Sequence, residues 1–328
     1  MRLGVHLPLA YLVEGEVPAP NLSAYARAAR DLGYATLAAN DHLVWRRPWL
    51  DGPTALASVL DAAGDMTLAT TVTLPVVRHP VVVAKTLSTL AAMARGPVVG
   101  ALGPGSSRAD YDAVGVPFDQ RWERFDEALR LVRALVRGEP AGAGTHYGEV
   151  PLAPLPETPP QVWCGSWGSD RRLAAMAAVA DGWLASAYNA TPEQYAAARS
   201  RLDDHLRAAG RDPATFPDAV ATAWLYVTDS RREADQILAD VLAPALGRDP
   251  ALLSHLPVGS AQHCAEAIAA YAAAGARELL LWPVRDGLRQ LELAQAAWRR
   301  PDVVPVPARD QLVGGATKMQ NGCPAGSA

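Results

Sequence analysis

The segment VVGALGPGSSRADY, Val98 to Tyr111, decides how the chain is read. Apolar and small residues from Val98 to Leu102 run straight into Gly103-Pro104-Gly105-Ser106-Ser107-Arg108. A buried strand ending in glycines suggests the G-x-G-x-x-G turn of a dinucleotide-binding fold. Here the third glycine is replaced by Arg108, and Pro104 has no N–H to offer a phosphate. The loop therefore calls for a different fold.

Working outward, strand-like and helix-like segments alternate almost from end to end. MRLGVHL reads as a strand, followed by NLSAYARAARDLGY with Leu22, Tyr25, Ala26, Ala29 and Leu32 at helical spacing and Gly33 as its stop. ATLAAN and PTALASVLDAAG form the next pair. MTLATTVTL and PVVVAKTLSTLAAMA follow, with Pro80 in the first helical turn. After the opening loop, DQRWERFDEALRLVRALVRG carries an apolar stripe of Trp122, Phe125, Ala128, Leu129, Val132, Leu135 and Val136. Asp119 is its expected N-cap and Gly138 its stop. Residues 139–160 form an irregular excursion, and regular alternation resumes at QVWCG. A second irregular stretch precedes the last strand, RELLLWP. Roughly eight strand–helix units predict an α/β protein, a (β/α)8 TIM barrel over residues 1–305. Residues 306–328 lack periodicity and read as an irregular tail.

The chain has 328 residues, is half hydrophobic and carries a formal net charge of −4, which gives no electrostatic footprint for nucleic acid or anionic lipid. No apolar run reaches the roughly 18 residues a membrane span requires. Cys164, Cys264 and Cys323 stand singly, so a reducing, cytoplasmic setting is expected.

In a barrel, chemistry gathers at the carboxyl ends of the strands. Those positions hold His6, the run Asn40-Asp41-His42 with Trp45 beyond it, Thr71-Val72, the opening loop, Ser166-Trp167-Gly168-Ser169, and Trp282. The set contains no glycosidase-type carboxylate pair and no H-E-x-x-H or G-x-S-x-G motif, so no metal is assigned. The stretch Gly165 to Ser169 runs into a helix near Asp170, and such a start presents free N–H groups to an anion. Arg171 and Arg172 add positive charge beside it.

Four blocks, in order, resemble the bacterial luciferase-like monooxygenase family, which includes coenzyme F420-dependent oxidoreductases. They are ANDHL, TTVTLPVVRHPVVVAKTLSTL, GALGPGSSRADYDAVGVPFDQRWERFDEAL and VWCGSWGSDRRLAAMAAVADGW, within residues 1 to about 300. The resemblance implies a flavin or deazaflavin ring across the barrel mouth, with a non-prolyl cis peptide at Thr71–Val72 beneath it. It implies phosphate binding by Gly103, Pro104, Gly105 and Ser106 and by Ser166, Trp167, Gly168 and Ser169. Because Pro104 lacks a donor, the phosphate is expected nearer Ser166–Ser169, with Trp167 as a cap. His42 matches a rim histidine that acts as base or proton shuttle. His6, Asp41, Trp45 and Trp282 are the expected substrate pocket.

Ser106 stands where F420-linked sugar dehydrogenases carry a glutamate acid. On that ground the expected activity is a monooxygenase using reduced FMN and O2 on a small organic substrate, supplied by a separate flavin reductase. F420-dependent hydride transfer and a non-catalytic flavin-binding barrel are the alternatives. The resemblance further implies a homodimer.

Overall fold

Parallel pairing closes the chain into a ring. The computed structural model describes residues 1–12, 21–148, 150–153 and 155–299. Its strands are β1 (Arg2–His6), β2 (Thr36–Ala39), β3 (Thr67–Thr73), β4 (Val98–Leu102), β5 (Gln161–Gly165), β6 (Gly182–Ser186), β7 (Asp218–Val227), β8 (Val258–Gly259) and β9 (Glu278–Pro283). β1 to β7 pair in sequence except that β9 joins β7 to β1, which completes the barrel. The two-residue β8 only extends β7 on its outer side. The expected eight-stranded barrel is therefore the fold, and the (β/α)8 reading stands.

The barrel interior is filled by few large groups. Ala38, Ala69, Ala101, Ala219 and Ala221 pack around Trp163, Leu184, Leu280 and Val99. A Cβ on Gly182 would meet the Trp163 indole at 2.5 Å, so one large ring takes the volume that alanines and a glycine leave open. Outside, the helices bury their apolar stripes against the strands. The helix Arg121–Arg137 buries Phe125, Ala128, Leu129, Val132, Leu135 and Val136 and ends on left-handed Gly138.

Two local expectations need correction on that helix. Its N-cap is Gln120, because a one-turn 3-10 segment, Phe118–Gln120, precedes it and absorbs Asp119. Trp122 is 38% exposed, since it lies on the turn that faces the barrel mouth. The excursion after this helix contains no helix or strand among its described residues. Helical turns at Arg231–Gln236, Ile237–Leu242 (a π-helix) and Ala243–Leu246 follow β7, and the second irregular stretch after them holds a 3-10 turn at Pro250–Leu253 and β8. The tail at 306–328 lies outside the described residues. Among those described, no helix is long and apolar enough to cross a membrane.

Candidate active site

A cavity of about 770 Å³ opens at the carboxyl ends of the strands, lined from β2 round to β7. The peptide Thr71–Val72 at the end of β3 is cis, as the resemblance implies. Asn40 Nδ2 donates to the Thr71 carbonyl at 2.9 Å and holds that peptide from β2. Val72 projects between two glycines: a Cβ on Gly103 or Gly165 would lie 2.7 or 2.5 Å from its methyls. Both strand ends must therefore be glycine for the valine to seat.

The loop after β4 has few donors to spare. The Gly103 N–H is used by the Thr73 carbonyl (3.1 Å), Pro104 has none, and the Tyr111 hydroxyl takes the Pro104 carbonyl. The loop after β5 is better equipped. Ser169 caps the ten-residue helix Asp170–Val179 without spending its hydroxyl on the cap, so that hydroxyl and the first helical amides stay available. Arg201 Nη2 takes the Gly168 carbonyl at 2.9 Å, which turns the Ser169 N–H of the same planar peptide the opposite way. Gly168 has φ 86° and leaves 2.8 Å between its would-be Cβ and Ala198. This glycine-and-serine cradle, with Arg171 and Arg172 in its lining, fits the phosphate end of a flavin-type cofactor. Trp167 is 62% exposed beside it.

At the β2 side, His42 Nδ1 lies 2.7 Å from Asp110 Oδ2. Asp110 Oδ1 also accepts from the amides of Leu43 (3.0 Å) and Val44 (2.7 Å). Burial pushes the Asp110 carboxyl upward, but His42 and the two amides outweigh it and hold the group below its ordinary range. The ionised carboxylate can only accept, so His42 directs an N–H at it from Nδ1, and in the neutral imidazole Nε2 is then the acceptor. Asp41 does not orient His42. It forms a two-pronged ion pair with Arg78 (2.6 and 2.7 Å), which also grips Asp51.

The cavity lining includes Asp41, His42, Thr71, Val72, Gly103 to Ser106 and Ser166 to Ser169. His6, Trp45 and Trp282 stand behind it. His6 stacks on Trp282 at 4.2 Å, Trp282 on Trp224 at 4.3 Å, and Trp45 leans on His42 at 4.4 Å. The His6, Trp282 and Trp224 rings stack in a row across β1, β9 and β7, and Trp45 lies beyond β2. Full burial drives the His6 pKa down to about 3. Ser186 at the end of β6, Tyr188 just after it and Thr222 within β7 also line the cavity; the sequence places the run ASAYN at this rim without assigning it a role. Thr222 has φ 57°, a β-branched residue in the left-handed region, which costs on the order of 1–3 kcal/mol. No three His, Cys, Asp or Glu side chains come together as a metal site among the described residues.

The sequence profile of the luciferase-like monooxygenases matches residues 1–247. The chain belongs to that family. A luciferase-like relative, the F420-dependent hydroxymycolic acid dehydrogenase of Mycobacterium tuberculosis, is 32% identical over 209 residues, 60% of this chain and 56% of the relative. The F420-dependent glucose-6-phosphate dehydrogenase of Beutenbergia cavernae is 34% identical over 192 residues, 54% and 56% of the two chains. The chain thus spans just over half the length of these curated relatives. Among solved luciferase-like barrels, a monooxygenase from Streptomyces bottropensis superposes with a TM-score of 0.77 at 21% identity, covering 90% of this chain and 98% of that one. An F420-dependent secondary alcohol dehydrogenase with an F420–acetone adduct gives 0.73 at 19%, covering 91% and 99%. At such identities the two structures speak for the fold.

Proposed function

We propose that this barrel is a hydride-transfer oxidoreductase that binds coenzyme F420 in the cradle and acts on a small organic substrate beside His42. The observation that carries the reading is the His42–Asp110 pair on a cavity that also holds an anion cradle. The F420-dependent curated relatives support it over the reduced-FMN reading expected from Ser106. Serine at that position instead leaves proton transfer to His42.

Bound F420 supplies the hydride acceptor. His42 Nε2 takes the proton of a substrate hydroxyl, and the Asp110 carboxylate stabilises the imidazolium that results. Val72 shapes the floor, and the loops after β4 and β5 hold the phosphate and keep water from the ring. In the reverse direction His42 returns its proton to a carbonyl oxygen.

A second reading, a reduced-FMN monooxygenase served by a separate reductase, is favoured by Ser106, which lines the cavity and stands where the resemblance implies a glutamate in the F420-linked sugar dehydrogenases. Fluorescence titration with F420 and with FMN separates the two. Tighter F420 binding, with turnover falling by about 100-fold or more in His42→Ala, is expected. FMN binding with substrate-dependent O2 uptake would establish the second reading instead. Tight binding with turnover indifferent to His42 would make the protein a flavin-binding barrel without catalysis. The proposal includes a homodimer, which light scattering tests.

A further inference from the structure

β6 lies four strands from β2 in the ring of eight, so the wall carrying Ser186 and Thr222 stands across the mouth from His42. The polarity of that wall follows donor by donor. Arg248 has only donors, and its Nη2 lies 2.5 Å from Asn189 Oδ1. This contact identifies the oxygen of the amide, so the atom 3.1 Å from Ser186 Oγ is Asn189 Nδ2, a donor. Ser186 Oγ is 2.7 Å from Thr222 Oγ1, which is itself 2.7 Å from the Ala221 carbonyl. One assignment of protons uses every contact at once. Asn189 donates to Ser186, Ser186 donates to Thr222, and Thr222 donates to the Ala221 carbonyl. Both hydroxyl protons of the pair are consumed inside the wall, so Ser186 and Thr222 themselves present only lone pairs to the cavity. His42 is polarised the same way, because Asp110 takes its Nδ1 proton.

We propose that the Ser186–Thr222 pair is a substrate-recognition subsite that accepts a hydrogen bond, so that the substrate bears a second hydroxyl besides the one oxidised at His42. The inference rests on the hydride-transfer reading of the cavity. Leu184, Ala185 and Ala221 line the same wall and contribute apolar surface. The substrate class is a diol or polyol on an apolar carbon skeleton. In the reaction, the carbinol C–H bond breaks with its electron pair passing as hydride to F420. The O–H proton passes to His42 Nε2, a C=O bond forms at that carbon, and the second hydroxyl is unchanged.

Three probes of similar size test this: propylene glycol, isopropanol and hydroxyacetone, ranked by ligand-observed NMR titration of the F420-saturated protein and of the protein alone. Propylene glycol is expected to bind about tenfold more tightly than isopropanol, the worth of one hydrogen bond, and more tightly than hydroxyacetone. Ser186→Ala should bring glycol and isopropanol to within roughly twofold of each other. Thr222→Val should do something a packing defect cannot. It frees the Ser186 proton, and hydroxyacetone should overtake the glycol. Thr222→Ser keeps the wild-type ranking as the control for folding. Wild-type preference for hydroxyacetone, or an unchanged ranking in both Ser186→Ala and Thr222→Val, overturns the proposal. Failure of F420 to bind in the first titration overturns the proposed function instead, while the ranking on the protein alone still decides the subsite.

Discussion

Asp110 concentrates three hydrogen bonds on one buried carboxylate, from His42 and from the Leu43 and Val44 amides. In Asp110→Asn the amide oxygen keeps the Leu43 and Val44 amides while its NH2 faces His42 Nδ1, so the imidazole proton moves to Nε2 and the lone pair needed for proton transfer is lost. The expected result is a fall in kcat on the order of 100-fold, with the dissociation constant of the cofactor little changed. Equal losses in both would mean that Asp110 merely holds the fold. His6 makes a different prediction. Its pKa falls from 6.5 to about 3 on burial, so below pH 6.5 the unfolded chain takes up a proton that the folded chain refuses. Stability attributable to His6 is complete above that pH and is lost as pH drops toward the folded value, at up to about 1.4 kcal/mol per pH unit. His6→Gln should flatten urea-derived stability against pH by about one proton between roughly pH 6 and 4. An unchanged slope would assign the acid sensitivity elsewhere. At this scale the place of His42 at the cavity was legible because it closely follows the end of β2. Asp110 was not, since its partner lies 68 positions away and nothing local marks a carboxylate as buried.

Among elements, the loop after β5 should carry more of the phosphate binding than the loop after β4, whose Gly103 N–H is already used and whose Pro104 has none. Ser169→Ala is expected to weaken F420 about tenfold while leaving the deazaflavin riboside that lacks the phosphate unaffected. Comparable losses for both ligands would place the role of Ser169 in the helix cap. The glycine content of these loops showed in the sequence; the reason for it did not. Gly103 and Gly165 are held by the space Val72 needs, a contact between three strand ends. Similarly, Asp119 looked like a cap because helix-start signals are local, and a single 3-10 turn is enough to shift them.

For the whole molecule, the alternation of strand and helix carried the architecture, and the closed ring followed from it. The filling of the ring was hidden, because alanine-rich strands show no periodicity that distinguishes inside from outside. Trp163→Ala should cost about 3–5 kcal/mol in urea unfolding, since the alanines around it cannot collapse into the vacated volume. A loss under about 1 kcal/mol would mean that the ring contracts.

The grip of Asp110 on the β2 loop has one more consequence. Asp110 rides on the segment that begins with the Gly103–Ser106 wall, so wall and base form a single mechanical unit. A ligand that displaces the wall must carry the imidazole with it. A cofactor resting on that wall and the proton acceptor beside it are thereby tied to one another.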